Sequence, residues 1–513
     1  MASCTATWSL KKRWTANGMK RGVPCWQAQW AGNASSELRR PCSRPSDSME
    51  TILSIDLGTS YFKAALFDRE MRLVGLSRLP APVDSPHPGW REIQPEAFQK
   101  TLLELVAILQ TQFPEEYSRI AGVTFSTQTN SFLLLDERDR PLTPIVLWSD
   151  ERAVDGFDAD GFACEGFQYV TGVPKLSPYL MLAKLDWMRR HQPAVHSCAR
   201  RLCLISDFLT LWLTGRHVTE ASVAGLTGLL DIHKLEWWPA TCEKMQLVPE
   251  CFSEVVRAGT DVGSILPEVA DVWHLSPSCR VAAGCLDQYA GAIGAGNHMP
   301  GKVSETTGTV LATVRCSDVY ASEIPGVYQG PSFREGLYWQ MAVEGRGASL
   351  LEDFRNLQPD RPEFPVLDAE ADLTPPGALG LRLIRPFHGD PRNSFSGLTH
   401  EHTRGHMVRC IMETVAFRLE EHMKRLCGED LPVSLRCCGG ATRSRGWLQI
   451  KADLLNIACA PPACPEPACL GAALLAGYGM GWNTPQDWPC HITDANLIQP
   501  RPQVHEIYQA QHK

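Results

Sequence analysis

One short pattern constrains this chain more than any other: an apolar strand, a tight turn of glycine and hydroxyl residues, and a returning strand, written once in each half. Ile52, Leu53 and Ile55 make strand text that ends at Asp56, Leu57-Gly58-Thr59-Ser60 is the turn, and Tyr61 to Phe67 returns. In the second half, Lys302 to Thr306 leads through Thr307-Gly308-Thr309 into Val310 to Val314. Two such hairpins facing one another across a cleft would aim backbone N–H groups and hydroxyls at a chain of phosphates. A Gly-Thr turn also recurs by chance, so the weight of the pattern comes from its surroundings.

Those surroundings alternate between strand and helix. Met71 to Leu79 is predicted as a third strand, and Phe98, Leu102, Leu103, Leu105, Val106 and Leu109 give a helical stripe over 95–112. Residues 121–125 and 132–135 return to strand, and 178–191, 401–424 and 443–457 have helical periodicity. Residues 467–480 read as a small-residue helix broken at Gly477 and Gly479. A hinge is expected at Gly296-Asn-His-Met-Pro-Gly301. These divisions give an extension at 1–48, domains at 49–298 and 299–490, and a tail at 491–513.

At 513 residues and a formal charge of −8, the chain has material for large cores and no long basic run beyond its first 50 residues. A nucleic-acid groove is not expected. No stretch approaches 18 uncharged apolar residues, so no membrane span is expected either. The 19 cysteines are scattered, Cys437 beside Cys438, which points to free thiols in a reducing compartment, by default the cytoplasm. Residues 1–48 carry eight Lys or Arg against Glu37 and Asp47, without the apolar core of a secretory signal. They are expected to be disordered, or an upstream or organellar extension with no part in the chemistry.

Further along stand Pro86-His-Pro-Gly-Trp90, Leu147-Trp-Ser-Asp-Glu-Arg152, Gly284-Cys-Leu-Asp-Gln288 and Glu305-Thr-Thr-Gly-Thr309. Then come Gly397-Leu-Thr399 with His402-Thr-Arg404, and Gly439-Gly-Ala-Thr-Arg-Ser444. In this order, together with Ile55-Asp-Leu-Gly-Thr-Ser60, Lys63 and Asp68, they resemble the FGGY family of carbohydrate kinases over Thr51 to about Gly481. The resemblance implies an α/β fold of duplicated actin/hexokinase-type (ribonuclease H-like) domains around a central cleft. It also implies ATP and Mg2+ as cofactors, a small carbohydrate or polyol as acceptor, and allows a homodimer.

Phosphoryl transfer needs an acceptor base, neutralised phosphate charge, a metal and in-line geometry. Asp287 follows strand text and a glycine, where a carboxylate reaches a cleft or caps a helix beside Gln288. The resemblance makes it the base. Asp56 is expected at magnesium, or as a turn aspartate. Gly58, Thr59, Ser60, Gly308 and Thr309 are expected at phosphate, with Lys63 meeting a phosphate oxygen unless it is a solvated strand lysine. Gly439, Gly440, Ala441 and Ser444 match the family's nucleotide contacts, in a strand–glycine–helix junction that also suits a plain helix start.

Trp90 and Trp148 are expected as aromatic faces for the acceptor, with Gln128, Asn130, Asp150, Asp287 and Gln288 around it and Arg152 engaging hydroxyls or bracing the pocket. Xylulose kinases of the family typically read Gln-Met-His-Gly where this chain has Gln128-Thr-Asn-Ser131, and the Arg-Glu pair of glycerol kinases is absent there. The acceptor is therefore unassigned within pentuloses, hexuloses and polyols. Gly296 to Val303 fails as a P-loop because Val303 stands where a hydroxyl binds magnesium. The glycines of 291–296 suit close helix packing. His402 with His406, and Cys459, Cys464 and Cys469, lack further metal ligands. An actin- or chaperone-like ATPase on the same fold, or a non-catalytic sugar-binding relative, are the readings from other classes.

Overall fold

The computed structural model describes residues 50–321, 324–387, 389–488 and 496–511. The extension expected at 1–48 lies outside these residues, as do 491–495 and 512–513 of the expected tail. In the first half, besides four short strands in two separate pairs, the strands are β1 (Thr51–Leu57), β2 (Tyr61–Asp68), β3 (Leu73–Pro80), β4 (Glu92–Ile93), β5 (Ile120–Thr127), β6 (Phe132–Leu135), β7 (Ile145–Val146), β8 (Arg201–Leu204), β9 (Asp261–Ser264), β10 (Arg280–Ala282) and β11 (Cys285–Leu286). They form a main sheet in the order β9-β10-β5-β1-β2-β3, with β11 also on β5, and a smaller sheet β4-β7-β6-β8.

Central strand β1 is buried at every position, which is why it reads as apolar apart from Thr51, Ser54 and Asp56. Leu53, Ile55 and Leu57 point toward helix α1 (Pro95–Gln112), meeting its Phe98, Leu102 and Leu105 in one cluster. Ile52, with Ala65 and Phe67 of β2, points to the other side. There it joins Ala290 and Ile293 of α3 (Asp287–Gly294), and Leu470 and Leu474 of α6 (Pro467–Gly479). The period of two in each strand is thus used fully, one helix layer for each parity.

The second half has strands β12 (Val303–Thr307), β13 (Leu311–Ser317), β14 (Val327–Pro331), β15 (Tyr338–Glu344), β16 (Ser434–Cys438) and β17 (Ala458–Ala460). Their order is β14-β15-β13-β12-β16-β17. Its helices include α4 (Arg404–Cys427) and α5 (Arg445–Leu455), whose apolar stripes close a separate core with this sheet. Each half therefore repeats one device: an antiparallel hairpin whose first strand also pairs in parallel with a later strand.

The expected hinge is the short crossing from α3 into β12, where Asn297 Nδ2 donates to Ser304 Oγ (3.0 Å) and to the Val314 carbonyl (2.9 Å). Helix α6 continues through Gly477 rather than breaking there. Although grouped by sequence with the second domain, it returns to pack on β1, β5 and α3. The contact with α3 is backbone to backbone: a Cβ on Gly471 would sit 1.9 Å from the Ala290 carbonyl oxygen. Of the glycines at 291–296, Gly294 belongs to this seam, where a Cβ would sit 1.9 Å from the Pro467 carbonyl oxygen, whereas a Cβ on Gly291 would meet nothing within 4 Å. Helix α2 (Met181–His191) buries Met181, Leu182, Leu185 and Met188 against the first half.

The remaining elements are elsewhere committed. His402 Nδ1 and His406 Nδ1 accept from the backbone N–H groups of Thr399 and Thr403 around the start of α4. Among the described residues no cluster of three or more His, Cys, Asp and Glu forms a metal site, and the cysteines are free and mostly buried. No described helix is long and apolar enough to cross a membrane.

Candidate active site

Three strands of the main sheet leave it at one end. Parallel pairing sets Asp56 of β1 beside Ser126 of β5, and Cys285 of β11 beside the same Ser126. The chain then turns out of β1 through Gly58-Thr59-Ser60, out of β5 through Gln128, and out of β11 directly into Asp287. Carboxyl ends of parallel strands are where open α/β sheets gather ligand-binding groups. In the second sheet Thr306 of β12 pairs with Cys438 of β16, so Gly308-Thr309 and Gly439-Gly440 also leave side by side. Cys438 Sγ lies 3.8 Å from the carbonyl oxygen of Gly291, one turn along α3 from Asp287.

Asp56 is buried and oriented on both oxygens: Ser126 Oγ donates to Oδ1 at 2.5 Å, and Lys63 Nζ is 3.4 Å from Oδ2. Lys63 stands opposite Asp56 in the β1–β2 register. Its ammonium is also 2.6 Å from Glu466 Oε2, at the start of α6. Burial works against the charge, but Asp56 and Glu466 together raise the lysine above its usual range. In this structure the ammonium expected at a phosphate oxygen bridges two carboxylates, Asp56 and Glu466.

Asp287 begins α3, and its Oδ1 accepts from the Gln288 backbone N–H at 2.7 Å. Its carboxyl is pushed up to about 7, first by burial and then by the Asp56 charge, while the Gln288 N–H and Lys63 act in the opposite direction. Leu286 is the N-cap of α3 and has no side-chain cap bond, so Asp287 is the first residue of the helix and not its cap. Gln288 Oε1 is buried without a hydrogen-bond partner among the described residues.

The second turn is fixed from behind. The Gly308 and Thr309 carbonyls accept from the backbone N–H groups of Ala348 (2.6 Å) and Gly347 (2.9 Å), leaving the Thr309 side chain exposed. Beneath it, Lys451 of α5 pairs with Glu305 at 2.6 Å with both side chains fully buried, and Thr307 Oγ1 bonds to each. Gly439 has φ +83°, and a Cβ there would lie 2.5 Å from the Thr307 carbonyl oxygen. Gly440 meets nothing within 4 Å of such an atom, whereas Ala441 is buried. Ser444 is the N-cap of α5, its Oγ accepting from Trp447 N–H at 3.1 Å.

On the acceptor side, several expected groups are spent on protein partners. Gln128 Nε2 donates to the Leu57 and Gly58 carbonyls (3.3 and 3.4 Å) and so supports the first turn. Asn130, at φ +58°, bridges the Met181 N–H (2.8 Å) and the Leu226 carbonyl (3.0 Å). Asp150 is fully buried and accepts from Arg152 Nε (2.7 Å) and from the Arg91 N–H (2.6 Å). In this structure the polar atoms of these three are engaged by protein partners around the pocket where contact with the acceptor was expected. Arg152, expected to engage or brace, braces: its guanidinium also reaches Glu92 at 2.5 Å and stacks 3.9 Å over the Trp90 ring.

Trp148 turns its Nε1–H toward Thr59 Oγ1 at 2.9 Å, tying the acceptor loop to the first turn. A cavity of about 360 Å³ is lined by Ser85, Gly89, Trp90, Arg91, Ser149 and Glu151, on this same loop. A larger one, about 450 Å³, lies between Met71–Leu73 and Ala463–Pro465 and touches none of the expected site residues. Lacking both glycine turns, it carries no phosphate chemistry.

Glu466, Ser126, Lys451 and Lys184 were not foreseen. Lys184 had a signal: it is a lysine on the apolar stripe of α2, between Met181 and Met188. Glu466 had none, since its pairing with Lys63 spans 403 positions.

The model of the FGGY N-terminal domain matches residues 51–294, and that of the C-terminal domain matches 371–480. A xylulose kinase of Lactococcus lactis is 27% identical over 466 residues, covering 84% of this chain and 88% of that protein. A gluconokinase of Bacillus subtilis is 26% identical over 455 residues, with the same coverage. A xylulose kinase structure from Rhodospirillum rubrum superposes with a TM-score of 0.79 at 27% identity, covering 90% of this chain and 97% of its own. With both domain models matched in order across the two sheets, the chain belongs to the FGGY family of carbohydrate kinases.

Proposed function

We propose that this protein transfers the terminal phosphoryl group of ATP to a hydroxyl of a small carbohydrate, a pentulose, hexulose or polyol, with Asp287 as general base. The observation that carries the reading is the register that sets both Asp56 and the strand leading into Asp287 beside Ser126 at the ends of the parallel strands, where burial and the Asp56 charge push the Asp287 carboxyl up. A carboxylate with raised proton affinity is a better acceptor for the alcohol proton as the new P–O bond forms.

In this reading the acceptor lies along Trp148 and Trp90, its hydroxyl directed at Asp287. The oxygen attacks phosphorus, Asp287 takes the proton, and the bond to the ADP oxygen breaks. Thr59, Ser60 and the Gly308-Thr309 turn supply donors to the transferring group, while Gly440 and Ala441 border the nucleotide. Asp56, an oxygen donor fixed by Ser126 and next to Asp287, suits hydrated Mg2+, which would neutralise phosphate charge. Lys63 orients Asp56 in this scheme.

The test is an acceptor screen at fixed Mg-ATP with xylulose, gluconate, glycerol and related sugars, repeated with Asp287→Asn. A kinase releases ADP sharply faster with one acceptor, and Asp287→Asn removes that response while nucleotide affinity stays near the parent value. ADP release indifferent to every acceptor would instead support the ATPase reading.

A further inference from the structure

The acceptor loop and the first glycine turn are joined by a chain of hydrogen bonds that begins at a buried lysine. Lys184 is fully buried on α2, on a stripe otherwise made of Met181, Leu182, Leu185 and Met188. An ammonium has three donors and no acceptor. Here they are given to three backbone carbonyls, those of Leu147 (3.0 Å), Trp148 (2.7 Å) and Tyr179 (3.0 Å). Burial depresses this lysine to about 7, a penalty partly offset by Asp150 and increased by Arg152. A methionine would fill the same volume without that penalty, so packing alone does not account for a charge in this place.

What the carbonyls hold is informative. Residues 147 and 148 follow β7 directly. The Trp148 backbone N–H donates to Ser131 Oγ (2.9 Å), and Ser131 Oγ donates to Gln128 Oε1 (2.9 Å). Gln128 Nε2 ends on the Leu57 and Gly58 carbonyls, while the Trp148 indole ends on Thr59 Oγ1. Both branches from the loop therefore terminate on residues 57–59. A clamp on the two loop carbonyls fixes where the indole stands relative to that turn.

We infer that Lys184 is a positioning residue for phosphoryl transfer, holding the Leu147 and Trp148 carbonyls so that the acceptor wall keeps its register with the phosphate turn through Trp148 and Thr59. The inference rests on the carbohydrate-kinase reading above. Transfer between two bound groups is sensitive to small misplacements, so loosening this register acts on the acceptor's turnover more than on nucleotide binding.

The test uses the full chain, Mg-ATP and the best acceptor of the screen, with Lys184→Met, Trp148→Phe and the double variant. Acceptor kcat/KM, the KM for ATP and a thermal melt are measured for each. Lys184→Met is expected to lower acceptor kcat/KM by about tenfold or more while the KM for ATP changes less than about twofold. Because both changes break one link, the double variant is expected to be no worse than the poorer single one. A folded Lys184→Met with parental acceptor kcat/KM overturns the inference, as do losses that multiply in the double variant. Should Lys184→Met fail to fold, Ser131→Ala, which breaks the branch from the Trp148 N–H to Gln128, decides: unaltered acceptor kcat/KM in that folded variant overturns it, and an acceptor-specific loss supports it. A parent chain whose ADP release ignores every acceptor removes the kinase reading itself, and the inference with it. A parent that responds to an acceptor beside an unaffected Lys184→Met removes the inference alone.

Discussion

The Lys63 ammonium lies 2.6 Å from Glu466 Oε2 and 3.4 Å from Asp56 Oδ2, so one cation joins the first hairpin to the start of the helix that returns from the second half. Removing it leaves two carboxylates facing each other in a partly buried site. Lys63→Met is expected to destabilise the chain by about 1–3 kcal/mol, the cost of stranding charges that retain some solvent. The double variant Lys63→Met/Glu466→Gln should recover most of that loss, yet turnover should stay low because Asp56 has lost one of its two partners. Thermal melts and acceptor-dependent turnover of the three variants check both statements.

Asp287 supplies a second prediction, with its sign set by proton linkage. Its proton affinity in the fold, at about 7, exceeds the ordinary aspartate value. A group of this kind stabilises the fold fully below its unfolded pKa, and that contribution is lost as pH rises through the folded value. In the absence of nucleotide and metal, stability should therefore fall between about pH 4 and pH 7 through this residue. Asp287→Asn removes the titration and should be more stable than the parent at pH 8 by about 1–3 kcal/mol, while matching it near pH 4. Denaturant midpoints at the two pH values decide it.

The same proton governs catalysis in the opposite direction. A base must be empty to accept the alcohol proton, so acceptor kcat/KM of the free enzyme should decline below about pH 7. Asp287→Asn should lose about 10²–10⁴-fold in kcat and show no such limb in its residual activity. A parent profile flat from pH 5 to pH 8 would contradict the assignment.

How much of this was legible in advance depends on the range of the interaction. The hairpins at 57–60 and 307–310 were readable because strand, turn and strand are contiguous, and the β1–β2 register then put Lys63 across from Asp56. The helices at 95–112 and 445–455 were readable from their stripes. What the sequence withheld were partners set by tertiary packing. Asn130 was expected at the acceptor because it stands where xylulose kinases of the family read His, and nothing local announced its bonds to Met181 and Leu226. Helix 467–479 was grouped with the second domain, whose family model runs to residue 480, and nothing local announced that its small residues also let it lie against α3 and the first sheet.

Gly439 and Gly440 are adjacent and should behave differently. Gly439→Ala places a methyl 2.5 Å from the Thr307 carbonyl oxygen at a backbone angle of +83°, so it should destabilise the chain by about 1–3 kcal/mol. Gly440→Ala meets nothing within 4 Å and should fold like the parent. Any change it produces then reports on the nucleotide: a raised KM for ATP with an unchanged melt marks residue 440 as bordering the nucleotide, and an unchanged KM removes it from that role.

The buried pair beneath the second turn gives the last prediction. Lys451 and Glu305 are 2.6 Å apart with neither side chain reaching solvent, and Thr307 Oγ1 joins both. Two ions out of water tolerate each other's presence but not each other's absence. Lys451→Met strands a carboxylate and should cost about 3–5 kcal/mol, whereas replacing both partners with apolar residues of similar volume should cost far less. Because Glu305 and Thr307 lead straight into Gly308-Thr309, the two outcomes separate stability from function. If the double variant melts near the parent but has a raised KM for ATP, the pair exists to aim the turn, and a parental KM would make it a matter of folding alone.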